Sequence, residues 1–129
     1  MTVHDDAGDS GALFKISGTV SNNSTWDEPI SFYSGGAALD ISGLAFELQF
    51  RNDSFDRSAS VTLSTAAGDL TLVGDSGGVT SILRINVPYT RISSLCGDCI
   101  ADLVSKDGDD KLVHWGHGIV TFRQAPVAF

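Results

Sequence analysis

Cys99-Ile-Ala-Asp-Leu-Val-Ser-Lys-Asp-Gly-Asp-Asp-Lys-Leu-Val-His-Trp-Gly-His-Gly-Ile-Val-Thr-Phe122 is the stretch that decides the fold. It reads as two strands, 100–105 and 112–122, joined by a tight acidic turn. Asp107-Gly108 supplies the positive φ that a short hairpin needs. The second strand alternates apolar and polar residues, the pattern of a strand with one buried face. Nothing in these 24 residues has the three-to-four residue spacing of an amphipathic helix.

The same grammar extends outward. From Leu13, the set Leu13, Lys15, Ser17 and Thr19 alternates with Phe14, Ile16, Gly18 and Val20. Residues 26–33 read as a second strand, bulged or at an edge because Pro29 cannot donate to a ladder. Residues 44–51 give the cleanest strand: Leu44, Phe46, Leu48 and Phe50 face one way, Ala45, Glu47, Gln49 and Arg51 the other. Segments 60–65, 70–73 and 79–87 follow, with Ile82 out of phase and so marking a bulge. Residues 90–95 read as one helical turn capped by Thr90. Turn clusters at 21–24, 34–36, 52–54, 67–69 and 74–78 punctuate the strands. Seven or eight short strands at about ten-residue spacing predict an all-β, immunoglobulin-like antiparallel sandwich. A small barrel is the second choice. The expected core is Leu44, Phe46, Leu48, Phe50, Val61, Leu63, Leu83, Ile85, Leu103, Ile119 and Phe122. Gly43, Gly108 and Gly118 are the expected backbone-geometry positions.

Composition bounds the rest. A chain of 129 residues fits one domain, read as 12–122, between an acidic tail at 1–11 and a second tail at 123–129. Hydrophobic residues make up 42%, too many for a disordered chain, and no apolar run reaches membrane-spanning length. Net charge is −8, and 14 of the 16 acidic residues are Asp. Asp favours turns where Glu favours helices, which agrees with a loop-rich β protein. Scattered basic residues on an acidic chain argue against nucleic-acid binding. The acidic start lacks the basic and apolar stretches of a Sec signal, so the expected setting is a cytoplasm, or release from it by another route such as cell lysis.

Candidate chemistry is sparse. Cys96-Gly-Asp-Cys99 has no second pair to complete a zinc site, and Cys99 enters a strand where a thioredoxin-like motif needs a helix. The two cysteines are a candidate thiol or disulfide pair. His114 and His117, three apart on a strand, point to opposite faces unless Gly116 inserts a bulge; no metal site and no cofactor are expected. Asp107 to Asp110 lacks the twelve-residue calcium pattern. No phosphate loop or nucleophile elbow is present. Trp26, Tyr33, Tyr89 and Trp115 are the interaction candidates, because each joins a large contact area to a polar handle.

Three segments resemble a known family. Leu39-Asp-Ile-Ser-Gly-Leu-Ala-Phe-Glu-Leu-Gln-Phe-Arg51, the Ile100-Ala-Asp-Leu103 strand and Leu112 to Phe122 are similar to the corresponding strands of the N-terminal domain of phage baseplate upper proteins and related small prophage proteins. Cys96 and Cys99 replace the family's usual lead-in to the second segment. The resemblance implies a non-enzymatic structural or attachment role. It implies partners that are copies of the chain and other virion proteins, without nucleic acid or membrane insertion, and residence in the host cytoplasm and then in the virion. A carbohydrate-binding module for host-surface glycan is the alternative reading.

Overall fold

A computed structural model describes residues 2–4, 14–52 and 60–124. Among the described residues, ten strands and one short helix follow in order: β1 (Thr2–His4), β2 (Phe14–Ser21), β3 (Trp26–Ser34), β4 (Ala37–Ala38), β5 (Ala45–Arg51), β6 (Val61–Ser64), β7 (Leu70–Gly74), β8 (Thr80–Val87), a 3₁₀ turn (Tyr89–Arg91), β9 (Gly97–Lys106) and β10 (Leu112–Arg123). They build two sheets. The first runs β1-β3-β8-β7, with β4 beside β3; the second runs β2-β10-β9-β5-β6. With β3, β8 and β7 facing β10, β9, β5 and β6, the chain crosses between sheets in the order of an immunoglobulin-like sandwich. The β1–β3 and β2–β10 pairs are parallel and the other pairs antiparallel.

The core forms because both sheets alternate. Ile30, Phe32, Leu83, Ile85 and Val87 from the first sheet meet Phe46, Leu48, Phe50, Leu63, Leu103, Val120 and Phe122 from the second, all buried. Two aromatic clusters bridge the layers. Trp26, Phe50 and Phe122 stack at one end, with centroids 5.2 to 5.9 Å apart. Phe32, Phe46 and Trp115 do so at the other, the Phe32–Trp115 pair T-shaped at 5.3 Å. Such edge-to-face contacts add to the area these rings bury.

Several details differ from the sequence expectation. Residues 2–4, read as tail, form β1 along Ser31–Tyr33; most of that tail, residues 5–11, lies outside the described residues. The second tail begins later than read, since Arg123 belongs to β10. β1 and β4 carry the strand count past eight, being too short for periodicity to register. Pro29 sits on the half of β3 that, among the described strands, β8 alone flanks. The bulge beside Ile82 is present: β7 passes from Val73 to Gly74 while β8 passes from Ile82 to Thr80, leaving Ser81 over. Residues 92–95 do not continue a helix. Thr90 lies inside the 3₁₀ turn, Pro88 takes the cap position without a side-chain bond, and Ile92 and Leu95 plug the core.

The β9–β10 hairpin also turns differently. Positive φ falls on Asp110 (60°), not Gly108. Asp107 Oδ1 accepts from the Asp109 and Lys111 amides at 2.8 and 3.0 Å. An Asx-stabilised turn with one left-handed residue makes a five-residue loop between the strands. Gly43 does need its left-handed φ of 80°, whereas Gly118 does not.

Candidate functional site: the outer face of the second sheet

The decisive local feature lies in β10. Its register against β9 shifts between His114 and Gly116, so Trp115 and Gly116 both lie toward the core side and the phase inverts beyond them. Two expectations are corrected. Ile119, predicted for the core, is 52% exposed, and its neighbour Val120 is buried instead. His114 and His117, predicted on opposite faces, both stand on the outer face with ring centroids 6.4 Å apart. Among the described residues no group of three His, Cys, Asp or Glu is placed to hold a metal.

Registers across β5, β9 and β10 lay the outer face out in rows. Ala45, Lys106 and Leu112 form the first. Glu47, Val104 and His114 form the second, Gln49, Asp102 and His117 the third, and Arg51, Ile100 and Ile119 the fourth. Asp98 and Thr121 form the fifth. Hydrogen bonds join the middle rows. Gln49 Nε2 donates to Glu47 Oε2 (2.9 Å), and Arg51 Nη2 donates to Gln49 Oε1 (2.9 Å). Arg51 Nη1 donates to Asp102 Oδ2 (3.1 Å), while His114 Nε2 lies 3.1 Å from Asp102 Oδ1. Thr121 donates to Asp98 at 2.7 Å. Beside this ladder a shallow groove of about 450 Å³ runs past Ala45, Glu47, Gln49, Lys106 and Leu112. A second of about 480 Å³ continues past Arg51, Ile100, Val104 and His114. Leu112 is 62% exposed; it, Ile119 and Tyr89 are the exposed large hydrophobic residues among those described.

The aromatic candidates do not assemble into one surface. Trp26 is 6% exposed and sits in the core. Trp115 is half-buried against Phe32, with its indole N–H donating to Ser105 Oγ at 2.7 Å, so its polar handle is used internally. Tyr33 is half-buried on β3 of the other sheet, and Tyr89 is exposed in the 3₁₀ turn. Cys96 is exposed and Cys99 buried, both as free thiols, with burial pushing the Cys99 thiol above its ordinary pKa. A thiol held protonated this way is a poor nucleophile.

No protein-family model and no curated protein matches this chain. Among the described residues, no helix is long and apolar enough to cross a membrane.

Charged groups outside this face brace two of the turns. Arg91 grips Asp69 through two bonds, 3.0 and 2.6 Å, and donates to Thr62 O at 3.1 Å. The Arg91 guanidinium, helped by the Ser64 amide, holds the Asp69 carboxyl below the usual aspartate range against the opposing effect of burial. The pair ties the 3₁₀ turn to the β6–β7 turn. Asp75 accepts from the Gly77 and Val79 amides and from Ser81 Oγ, closing the β7–β8 hairpin. The residues that sequence reasoning missed as surface determinants are Leu112, Ile119 and the polar row of β9. The four-residue spacing of Asp98, Asp102 and Lys106 was visible, but which neighbours they meet depends on register.

Proposed function

We propose that this chain is a non-enzymatic structural or attachment domain that binds protein through the outer face of the β2-β10-β9-β5-β6 sheet. The observation that carries this is the placement of Leu112 and Ile119 on one face of one strand, beside a groove with a hydrogen-bonded polar ladder. Exposed apolar side chains rimmed by ordered polar groups are the make-up of a protein contact surface. The ladder pre-orders its side chains, so less conformational freedom is lost on binding. The setting that fits is the one implied by the resemblance: a phage tail or baseplate, with the chain made in the host cytoplasm and packed among virion proteins.

The test is peptide mass spectrometry on purified particles from the source strain, with amide hydrogen exchange on the assembled and free chain. The expected result is stoichiometric incorporation, with β10 and β9 amides protected on assembly. A chain absent from particles yet abundant in the lysate overturns the structural role. Protection confined to β3 and β8 overturns the choice of face.

A further inference from the structure

The charges on this face are arranged in a way that names its occupant. Register places four cations there, Lys15, Arg51, Lys106 and Arg123, with three anions, Glu47, Asp98 and Asp102. The face is therefore within one charge of neutral, and the other 13 acidic and four basic residues carry −9. Two copies repel each other least where their charge cancels. The outer face of the first sheet pairs Asp27 with Arg84, but none of the exposed large apolar side chains stands on it.

The order of the charges matters more than their sum. On β5, Glu47 lies one row to one side of the Gln49–Asp102 row and Arg51 one row to the other. On β9, Lys106 lies two rows to the first side and Asp98 two rows to the second. A two-fold axis along the Gln49–Asp102–His117 row turns each strand of one copy end for end over the same strand of the other. Glu47 then faces Arg51 of the second copy and Lys106 faces Asp98, each pairing occurring twice. Asp102 and Lys15, on the axis row, each come over the same residue of the second copy, Asp102 with Arg51 already bonded to it. His114 comes over Ile119, and the half-buried Ile100 and Val104 cover one another. An isologous contact requires this self-complementarity.

Area permits it. Five strands about 4.8 Å apart and about eight residues long present a face of roughly 500–600 Å². Two such faces bury on the order of 1,000–1,200 Å², at the lower end for a specific interface. We propose that the occupant of this face is a second copy of the chain, docked about that two-fold axis; this rests on the protein-binding reading of the face given above.

A charge-swap experiment on the purified full-length chain tests it. Sedimentation velocity across a concentration series should show a monomer–dimer equilibrium that stops at two copies and weakens in high salt. Lys106→Asp and Asp98→Lys should each weaken the dimer about tenfold or more, because each sets like charges opposite one another twice. The double variant K106D/D98K should recover to within about threefold of the wild type, because the pairing is restored with signs exchanged. Lys106 and Asp98 are both exposed, so circular dichroism should show the variants folded. A chain monomeric at all concentrations overturns the second copy as occupant. If β9 and β10 are still protected in particles, the protein-binding reading stands with a different virion partner; if they are not, both fail. A dimer indifferent to the single reversals, or a double variant no better than the singles, overturns the proposed axis.

Discussion

On the outside of β3 and β8, Asp27 and Arg84 answer each other directly, through two bonds of 2.8 and 2.7 Å. On the outside of β5 and β9, Lys106 and Asp98 belong to the same strand and stand too far apart along it to meet. Both faces are close to neutral, yet the first is so by contact, whereas on the second Arg51 meets Asp102 while Lys106 and Asp98 stay apart. A face whose charges are already paired has little to offer a partner. A face whose opposite charges are held apart on a rigid ladder is complete only when something supplies the missing counterparts. The two outer faces cover one core, so the comparison isolates surface chemistry from stability.

That separation can be broken by mutation. The largest effects should come from the shared core, equally from either sheet. Phe32→Ala and Phe50→Ala should each cost about 3–5 kcal/mol in denaturant unfolding. A loss confined to one of them would mean that the sheets do not share one core. Next, Asp69→Asn should cost about 1–3 kcal/mol, because it strips Arg91 and the Ser64 amide of a buried acceptor. Its pH dependence sharpens the point. Asp69 has a folded pKa below the ordinary 3.8, so its contribution is full above that value and fades as pH falls through the lower one. Wild type and variant should therefore differ equally at pH 7 and pH 5 and converge below about pH 4.

Smaller again is Ser105→Ala, about 1 kcal/mol, from leaving the Trp115 indole N–H without its acceptor. A shifted tryptophan emission would accompany it, and an unchanged spectrum would mean Trp115 finds another partner. The smallest effect should come from the two outer faces themselves. Arg84→Ala should leave the thermal midpoint unmoved at physiological salt, since exposed pairs contribute little. Leu112→Asp should leave it unmoved too, yet abolish self-association. A variant that lowers both stability and association would erase the distinction between the faces.

Much of this was readable in the chain. Leu44 to Arg51 announced β5 (Ala45–Arg51), its facing and the core residues Phe46, Leu48 and Phe50, with Leu44 only half-buried, because alternation over seven residues leaves a strand little freedom of phase. The acidic turn at Asp107 placed the β9–β10 hairpin, though Asp110 rather than Gly108 took the left-handed position, because the Asp107 carboxylate organised a longer loop. Ile119 was misassigned for a similar reason. One extra residue at Trp115 and Gly116 inverts every side chain beyond it, and no local preference marks where an insertion is absorbed.

The amino-acid sequence by itself determined the class of fold, most strand positions and most of the core, since hydrophobic alternation and turn chemistry act between near neighbours. Tertiary structure alone decided the face. Glu47, Arg51, Asp98, Asp102 and Lys106 are spread over 60 positions of the chain. What they can bind depends on the row each occupies, and rows are set by pairing between distant strands and by one bulge.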